Sequence, residues 1–215
     1  MIKNNKDHLS FISKDSATHK KGKPKTKKGL LFVVSGPSGV GKGTLREKLF
    51  EIFTDLTYSV SVTSRIARKN EENGKDYYFV TEDEFKKMIK EDKFVEWAIV
   101  HGDYKGTPYN FTNKKLENGE DILLEIDVQG AEQVKEKMPM GVFIFIAPPS
   151  WEDLEERLKN RKTEEKEKLK KRLKDARTEI KYINKYNYLV VNDNIANAMK
   201  KLEAIIIAER CKVDN

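Results

Sequence analysis

From residue 30 onward, short apolar runs alternate with amphipathic stretches along the chain. Residues 30–34 form an unbroken apolar run, which is typical of a strand buried on both faces of a parallel sheet. Further strands are predicted at 58–62, 77–80, 94–100, 122–128, 142–146 and 189–191. Helices are predicted at 44–53, 82–90, 129–138, from 151 onward and at 195–210. This alternation predicts an α/β fold built on a parallel sheet.

The apolar spacing also predicts which faces of two helices are buried. The buried face of the first helix is predicted to comprise Leu45, Leu49, Ile52 and Phe53. That of the second is predicted to comprise Phe85, Met88 and Ile89. Ser150 is predicted to cap the helix from 151. The stretch 152–182 is different, because its nine acidic and twelve basic residues leave few apolar positions. It predicts a pair of helices with solvated faces.

The chain has 215 residues and a formal net charge of +7, a length that suits one domain. All the excess charge lies in residues 1–28, which hold nine lysines and two acidic residues. We expect residues 1–28 to be a disordered basic extension and residues 29–215 to form the folded domain. The lysines could bind an anionic surface, but a solvated extension is the favoured reading, so no nucleic-acid partner is required.

Composition also disfavours several classes of protein. No apolar run approaches the ~18 residues that a membrane span needs. The apolar cluster at 9–12 is too short for a secretory signal. Cys211 is the one cysteine of the chain, so an internal disulfide and a cysteine-based zinc site are excluded. We therefore expect a cytoplasmic protein, with organelle targeting by the extension as an open alternative.

The strand at 30–34 runs into the sequence GPSGVGKGT at 36–44, which matches G-x-x-x-x-G-K between a strand and a helix. Such a loop turns its backbone N–H groups around a polyphosphate, and the following helix adds its positive end. Lys42 supplies a full charge for the β- and γ-phosphates. The strict motif has Ser or Thr after the lysine, whereas this chain has Gly43 and then Thr44. Direct Mg²⁺ ligation by the loop hydroxyl is therefore left open.

A second anion site is predicted at 59–68, where Arg65 and Arg68 lie three residues apart among hydroxyl side chains. Guanidinium groups suit a phosphate because they donate two parallel hydrogen bonds. A second phosphate site indicates a protein that binds a phosphorylated substrate besides the nucleoside triphosphate, rather than a general nucleoside triphosphatase.

At this point the chain resembles the guanylate kinase family, over about residues 30–209. The resemblance lies in GPSGVGKGT (36–44), SVSVTSRIAR (59–68), ENGKDYYFV (72–80), FVEWA (94–98), EIDVQG (125–130), IAPPS (146–150) and VND (191–193). It implies a P-loop nucleoside triphosphate hydrolase-like parallel sheet flanked by helices, with a small GMP-binding subdomain and a helical lid. The implied core is 29–57 and 120–215, the GMP-binding region about 58–119 and the lid about 152–182.

The resemblance implies the residues that bind GMP. They are Ser61, Arg65, Arg68, Glu71, Tyr77, Glu96, Lys105, Thr107 and Asp127. Glu96 is the implied guanine reader, because a carboxylate accepts from N1–H and the 2-amino group together and adenine lacks that donor pair. One position departs from the family, since Lys105 stands where the family has a tyrosine that contacts the GMP phosphate. Either Lys105 or a shifted Tyr104 makes this contact.

The resemblance also implies the residues that bind ATP. They are Gly36, Ser38, Gly39, Val40, Gly41, Lys42, Gly43, Thr44, Arg157 and Asn192. The implied catalytic residues are Lys42, Arg161, Arg172 and Asp127, with the two arginines closing onto the ATP phosphates from the lid. Mg²⁺ is the implied metal, and Thr44 and Asp127 are the residues implied to bind it. Before the family is considered, a capping role for Asp127 is as good an explanation as a functional one.

The implied activity is phosphorylation of GMP, and also of dGMP, by ATP through in-line transfer. No strong general base is expected, because the GMP phosphate is already anionic. Two alternatives stay open: a guanylate-kinase-like module that binds a protein, and a P-loop kinase for another phosphorylated acceptor. We expect a monomer.

Overall fold

The computed structural model describes residues 27–100, 102–159 and 166–213. Its strands are β1 (Leu31–Ser35), β2 (Thr57–Tyr58), β3 (Val62–Thr63), β4 (Tyr78–Phe79), β5 (Phe94–Val100), β6 (Asp103–Pro108), β7 (Ile122–Glu125), β8 (Val142–Ala147) and β9 (Tyr188–Val191). Its helices are α1 (Lys42–Ile52), α2 (Glu82–Lys90), α3 (Tyr109–Glu117), α4 (Val128–Lys137), α5 (Trp151–Lys159), α6 (Lys166–Glu179) and α7 (Ile195–Arg210), and a 3-10 helix spans Ile180–Lys185. Most of the predicted extension, residues 1–26, lies outside the described residues.

The chain divides into two compact units. The larger unit comprises Leu30–Tyr58 and the described residues from Asp121 onward. It contains a five-stranded sheet in the order β2-β7-β1-β8-β9, in which every pairing is parallel. The central strand β1 is buried along its whole length, as its unbroken apolar run predicts.

The two faces of this sheet are covered by different helices, because side chains alternate along a strand. Ile144 and Ile146 of β8 pack with apolar residues of α1 and α7 in the main core. Phe145 and Ala147 pack on the other face, with Val128 of α4 and with the segment that carries the 3-10 helix.

The smaller unit comprises Ser59–Glu120 and the described residues up to Gly29. Its four-stranded sheet has the order β4-β3-β6-β5 and is mixed, because β3 pairs with β4 in parallel and with β6 antiparallel. Helix α2 packs on it through Phe85 and Met88. Thr81 begins α2 with a capping box, accepting from the Glu84 N–H while Glu84 accepts from the Thr81 N–H.

The predicted α/β architecture with a parallel sheet is confirmed, and several predicted bounds are wrong. The segment 58–62 is not one strand: β2 and β3 belong to different sheets. The strand predicted at 122–128 ends at Glu125, because Asp127 caps α4 and Val128 is already helical. Strand β6 and helix α3 were not predicted. Ile52, predicted to be buried, is 50% exposed.

Within the described residues, no helix is long and apolar enough to cross a membrane.

Candidate active site

The phosphate loop connects β1 to α1, at the carboxyl end of the central strand of the larger unit. Gly41 immediately precedes α1 with a φ of 97°, in the left-handed region that favours glycine. Gly36 is more constrained, because its φ is 144° and a Cβ there would lie 2.1 Å from the carbonyl oxygen of Ile146. The backbone of this loop therefore requires glycine at both positions.

Lys42 is the first residue of α1, and its ammonium group turns back onto the loop. Nζ donates to the carbonyl oxygens of Gly36 at 2.5 Å and Pro37 at 3.1 Å. The lysine charge is thus held over the first turn of the loop, where a polyphosphate would lie. Ser38, Gly39 and Val40 form the rest of the loop between these residues and Gly41.

Asn192 and Arg157 hold the outer side of the loop. Asn192 is buried, and its Nδ2 donates to the carbonyl oxygen of Val40 at 2.8 Å. Arg157 of α5 donates from Nη2 to the carbonyl oxygen of Asn192 at 3.0 Å, and its Nη1 lies 3.5 Å from the Val40 oxygen. Both residues were predicted to bind ATP, and the structure places both against the backbone of the phosphate loop.

The two residues predicted to hold Mg²⁺ lie beside the loop in the larger unit. Thr44 is exposed in the first turn of α1. Asp127 caps α4, and its Oδ1 accepts from the N–H groups of Gln129 and Gly130, both at 2.9 Å. Asp127 lies beyond the end of the strand, because β7 ends at Glu125. Glu125 instead pairs with Arg46 of α1 at 3.2 Å.

A hydroxyl and one carboxylate suit Mg²⁺ that is held mainly by phosphate oxygens and water. The described residues contain no group of three or more His, Cys, Asp or Glu that could hold a metal ion without a substrate. The donor set at Thr44 and Asp127 therefore fits a metal that arrives with a nucleotide.

The predicted lid corresponds to α5 and α6. Arg172 lies on α6 and is half-buried. Arg161 lies outside the described residues. Sequence reasoning missed Glu179, the last residue of α6, whose Oε2 atom is buried. Burial raises the pKa of this carboxyl, and the positive charge of Lys42 opposes the shift. Nothing in the charged stretch 152–182 distinguishes this carboxylate from its exposed neighbours.

The smaller unit contains the second anion site. Arg65 donates to Glu71 Oε1 at 2.8 Å, and the backbone N–H of Arg68 donates to Glu71 Oε2 at 2.8 Å. These hydrogen bonds, the one from Arg65 first, hold the pKa of the Glu71 carboxyl below its usual value. The same hydrogen bond raises the pKa of Arg65. Glu71 thus holds the two-arginine segment in one conformation, and the Arg68 side chain is exposed.

Two cationic side chains lie beside the Tyr77 ring in this unit. The guanidinium carbon of Arg65 lies 5.5 Å from the centre of the Tyr77 ring, and Lys105 Nζ lies 5.3 Å from it. Tyr104 has a different environment, because its ring packs in the apolar cluster with Phe85 at 5.2 Å. Lys105 therefore lies with Arg65 at the Tyr77 ring, whereas the Tyr104 ring lies in the apolar cluster. Ser61, half-buried, precedes β3, and its carbonyl oxygen accepts from the Tyr78 N–H.

Glu96 and Thr107 face each other across β5 and β6. Both are buried, at 5% and 1% exposure, and the Thr107 hydroxyl donates to Glu96 Oε1 at 2.6 Å. A carboxylate has about four lone-pair sites on its two oxygens, so the hydrogen bond from Thr107 uses only part of the capacity of Glu96 to accept. Glu96 is therefore not an exposed strand glutamate in this fold.

A glycine loop between a buried parallel strand and a helix, with a lysine turned over it, defines a P-loop nucleotide-binding protein. The guanylate kinase family model matches residues 28–209. The chain therefore belongs to the guanylate kinase family.

Comparisons with individual proteins agree. The chain is 55% identical over 188 residues to a guanylate kinase of Caldanaerobacter subterraneus subsp. tengcongensis, covering 87% of this chain and 91% of the relative. It is 52% identical over 189 residues to that of Syntrophomonas wolfei subsp. wolfei, covering 88% and 97%. The crystal structure of guanylate kinase from Anaplasma phagocytophilum matches with a TM-score of 0.72 and 37% identity, covering 87% of this chain and 89% of that one. The alternative of a protein-interaction module is not favoured.

Proposed function

We propose that this chain transfers the γ-phosphoryl group of ATP to GMP and to dGMP, giving ADP and the guanosine diphosphate. The acceptor assignment rests on the buried pair of Glu96 and Thr107. The carboxylate has capacity to accept from guanine N1–H and the 2-amino group, whereas adenine offers no such donor pair. The family resemblance also implies a contact of the Thr107 hydroxyl with guanine O6. Because this hydroxyl already donates to Glu96, that contact requires the hydroxyl hydrogen to rotate towards the base.

The remaining residues of the smaller unit would bind the GMP phosphate. Arg65 and Lys105 supply charge next to Tyr77, and Arg68 and Ser61 lie in the same segment. Glu71 acts on this site through its ion pair with Arg65, and it does not bind the anion itself. An arginine held in one rotamer loses less entropy when it binds a phosphate.

In the larger unit, the loop residues 36–44 would wrap the ATP phosphates, with Lys42 neutralising their charge. Arg172, with Arg161 of the same predicted lid, would add positive charge and exclude water. Mg²⁺, held through Thr44 and Asp127, would neutralise phosphate charge during transfer. The GMP phosphate is itself the nucleophile, so the protein positions and neutralises rather than removing a proton. We also propose that the protein acts as a cytoplasmic monomer that requires no nucleic acid.

The test is ADP formation from MgATP with GMP, AMP, CMP or UMP as the acceptor. We expect turnover with GMP, and its loss in Lys42→Ala, because the phosphate loop then lacks its charge. Turnover with another acceptor, and none with GMP, would refute the substrate assignment while leaving the phosphate site intact. GMP binding without any turnover would refute the kinase assignment.

A further inference from the structure

Helix α5, the first helix of the charged stretch, packs directly on the phosphate loop. Leu154 and Leu158 lie about one turn apart on α5, and both are buried. A Cβ built on Gly39 would lie 2.6 Å from Leu158 Cδ2, 3.0 Å from Leu158 Cγ and 3.5 Å from Leu154 Cδ1. The loop backbone at Gly39 therefore runs against these two leucine side chains, and Leu158 is the nearer of them.

Leu158 also belongs to the apolar cluster that joins α5 to α6. The buried members of that cluster are Leu154, Leu158 and Ala176, and Trp151, Leu169 and Leu173 pack against them. Arg172, the lid arginine that the structure describes, lies on α6 directly before Leu173. The Leu158 side chain thus lies against the phosphate loop and is also part of the core that holds the helix of Arg172.

The residues that follow Gly39 in the loop are held by other groups. The Val40 side chain is buried in the main core, and its carbonyl oxygen accepts from Asn192 Nδ2. A Cβ on Gly41 would lie 2.6 Å from the same Nδ2 atom. Gly39 has a φ of 88° and no side chain of its own, so packing by its neighbours restricts it. The nearest of these neighbours are the leucines of α5.

We propose that Leu158 is a positioning residue of the ATP site, which restricts Gly39 to the conformation in which the phosphate loop binds nucleotide. Glycine has more conformational freedom to lose than any other residue. A loop that adopts its binding conformation for only part of the time binds more weakly by that fraction. Nucleotide affinity therefore depends on a side chain that does not touch the nucleotide. This inference rests on the proposed ATP site, and it is independent of which acceptor is phosphorylated.

The experiment measures ADP binding to the full chain by titration calorimetry, together with the KM for ATP and for GMP. Leu158→Ala removes the atoms nearest to Gly39. We expect the Kd for ADP and the KM for ATP to rise about tenfold, as for a loop that is competent about a tenth of the time, with the KM for GMP unchanged. Leu158→Met keeps most of the volume, and both values should stay within about twofold of the wild type. Ile206→Ala is the matched control, since Ile206 is fully buried in the main core on α7, and it should lower stability without weakening ADP binding.

A double-mutant cycle tests the contact between Leu158 and Gly39 itself. Gly39→Ala introduces a Cβ that clashes with Leu158, and Leu158→Ala removes the clashing atoms. We therefore expect Gly39→Ala to raise the Kd for ADP by a factor about threefold larger in the wild type than in Leu158→Ala. The backbone strain of alanine at a φ of 88° is present in both backgrounds and cancels in this comparison.

Three results would overturn the proposal: an unchanged Kd for ADP in Leu158→Ala, an equal loss of affinity in Ile206→Ala, or an equal effect of Gly39→Ala in the two backgrounds. If Leu158→Ala does not fold, Leu158→Val replaces it in every comparison, and the Kd for ADP should rise about threefold. A wild type that binds ADP without phosphorylating GMP would refute the proposed function alone, whereas a wild type that does not bind ADP would refute both.

Discussion

At the scale of single residues, the Glu96 carboxylate should decide the choice of base. Glu96→Gln replaces one acceptor oxygen with a donor that faces the guanine donors. We expect kcat/KM for GMP to fall ~100-fold, equivalent to about 2.7 kcal/mol, with the KM for ATP unchanged. Glu82→Gln is the control, because Glu82 is an exposed glutamate of α2 in the same unit. If the two substitutions had equal effects, Glu96 would not be a residue that contacts guanine.

Lys105 and Tyr104 can be distinguished by a pair of substitutions. Lys105→Ala should raise the KM for GMP ~10-fold, because a charge-assisted contact with phosphate is lost. Tyr104→Phe should leave it unchanged, since the Tyr104 ring packs in the apolar cluster beside Phe85. Steady-state kinetics with GMP varied at saturating ATP makes the comparison. The reverse pattern would assign the phosphate contact to Tyr104.

The pair of Arg65 and Glu71 predicts a pH dependence. The folded-state pKa of Glu71 is lowered by Arg65 and by the Arg68 N–H. Its stabilising contribution is therefore complete above the unfolded value near 4.5 and is lost as the pH falls through the lower folded value. NMR titration of the Glu71 carboxyl should give a pKa below 4.5 in the wild type.

In Arg65→Ala the pKa of Glu71 should return towards 4.5. A value that does not change on this substitution would mean that Arg65 is not the cause of the shift, and that Glu71 does not hold Arg65 in solution.

At the scale of elements, the turn between β1 and α1 depends on glycine. Gly36→Ala places a Cβ 2.1 Å from the Ile146 carbonyl oxygen at a φ of 144°, and we expect it to lower the free energy of unfolding by ~3–5 kcal/mol. Gly102 has a φ of 93° but nothing within 4 Å of its Cβ position. Gly102→Ala should therefore cost only ~1–2 kcal/mol. Thermal and urea unfolding measure both, and equal losses would show that the close approach to β8 has no effect.

At the scale of the whole molecule, the positive charge and the activity belong to different parts of the chain. Residues 1–26 carry seven of the nine lysines in the basic extension. Residues 27–29 belong to the folded part, because the Gly29 N–H donates to the Leu116 carbonyl oxygen and the Lys27 carbonyl oxygen lies near Gly119. Removing residues 1–26 should leave kcat and both KM values within about twofold, because no site residue is lost. It should abolish any binding to anionic vesicles or to DNA. A large loss of kcat would give the extension a role in catalysis.

Local pattern predicted the larger unit well, because β1 and β8 are buried on both faces and their apolar runs are unbroken. It failed in the smaller unit, where β2 and β3 are two-residue strands of different sheets. Strand β6 was not predicted because its sequence, DYKGTP, lacks an apolar alternation. Pairing with β3 and β5 makes it a strand, and pairing is not a local property.

The sequence by itself determined the phosphate loop, the buried parallel strands and the resemblance to the guanylate kinase family, since each is written in contiguous residues. Tertiary structure decided the environments of individual side chains. Folding buried Glu96 against Thr107, and it placed Lys105 beside the Tyr77 ring and Tyr104 in the apolar cluster with Phe85. Glu96 and Thr107, like Lys105 and Tyr77, are distant in the sequence and meet only when the chain folds, so burial and charge at these positions are properties of the fold.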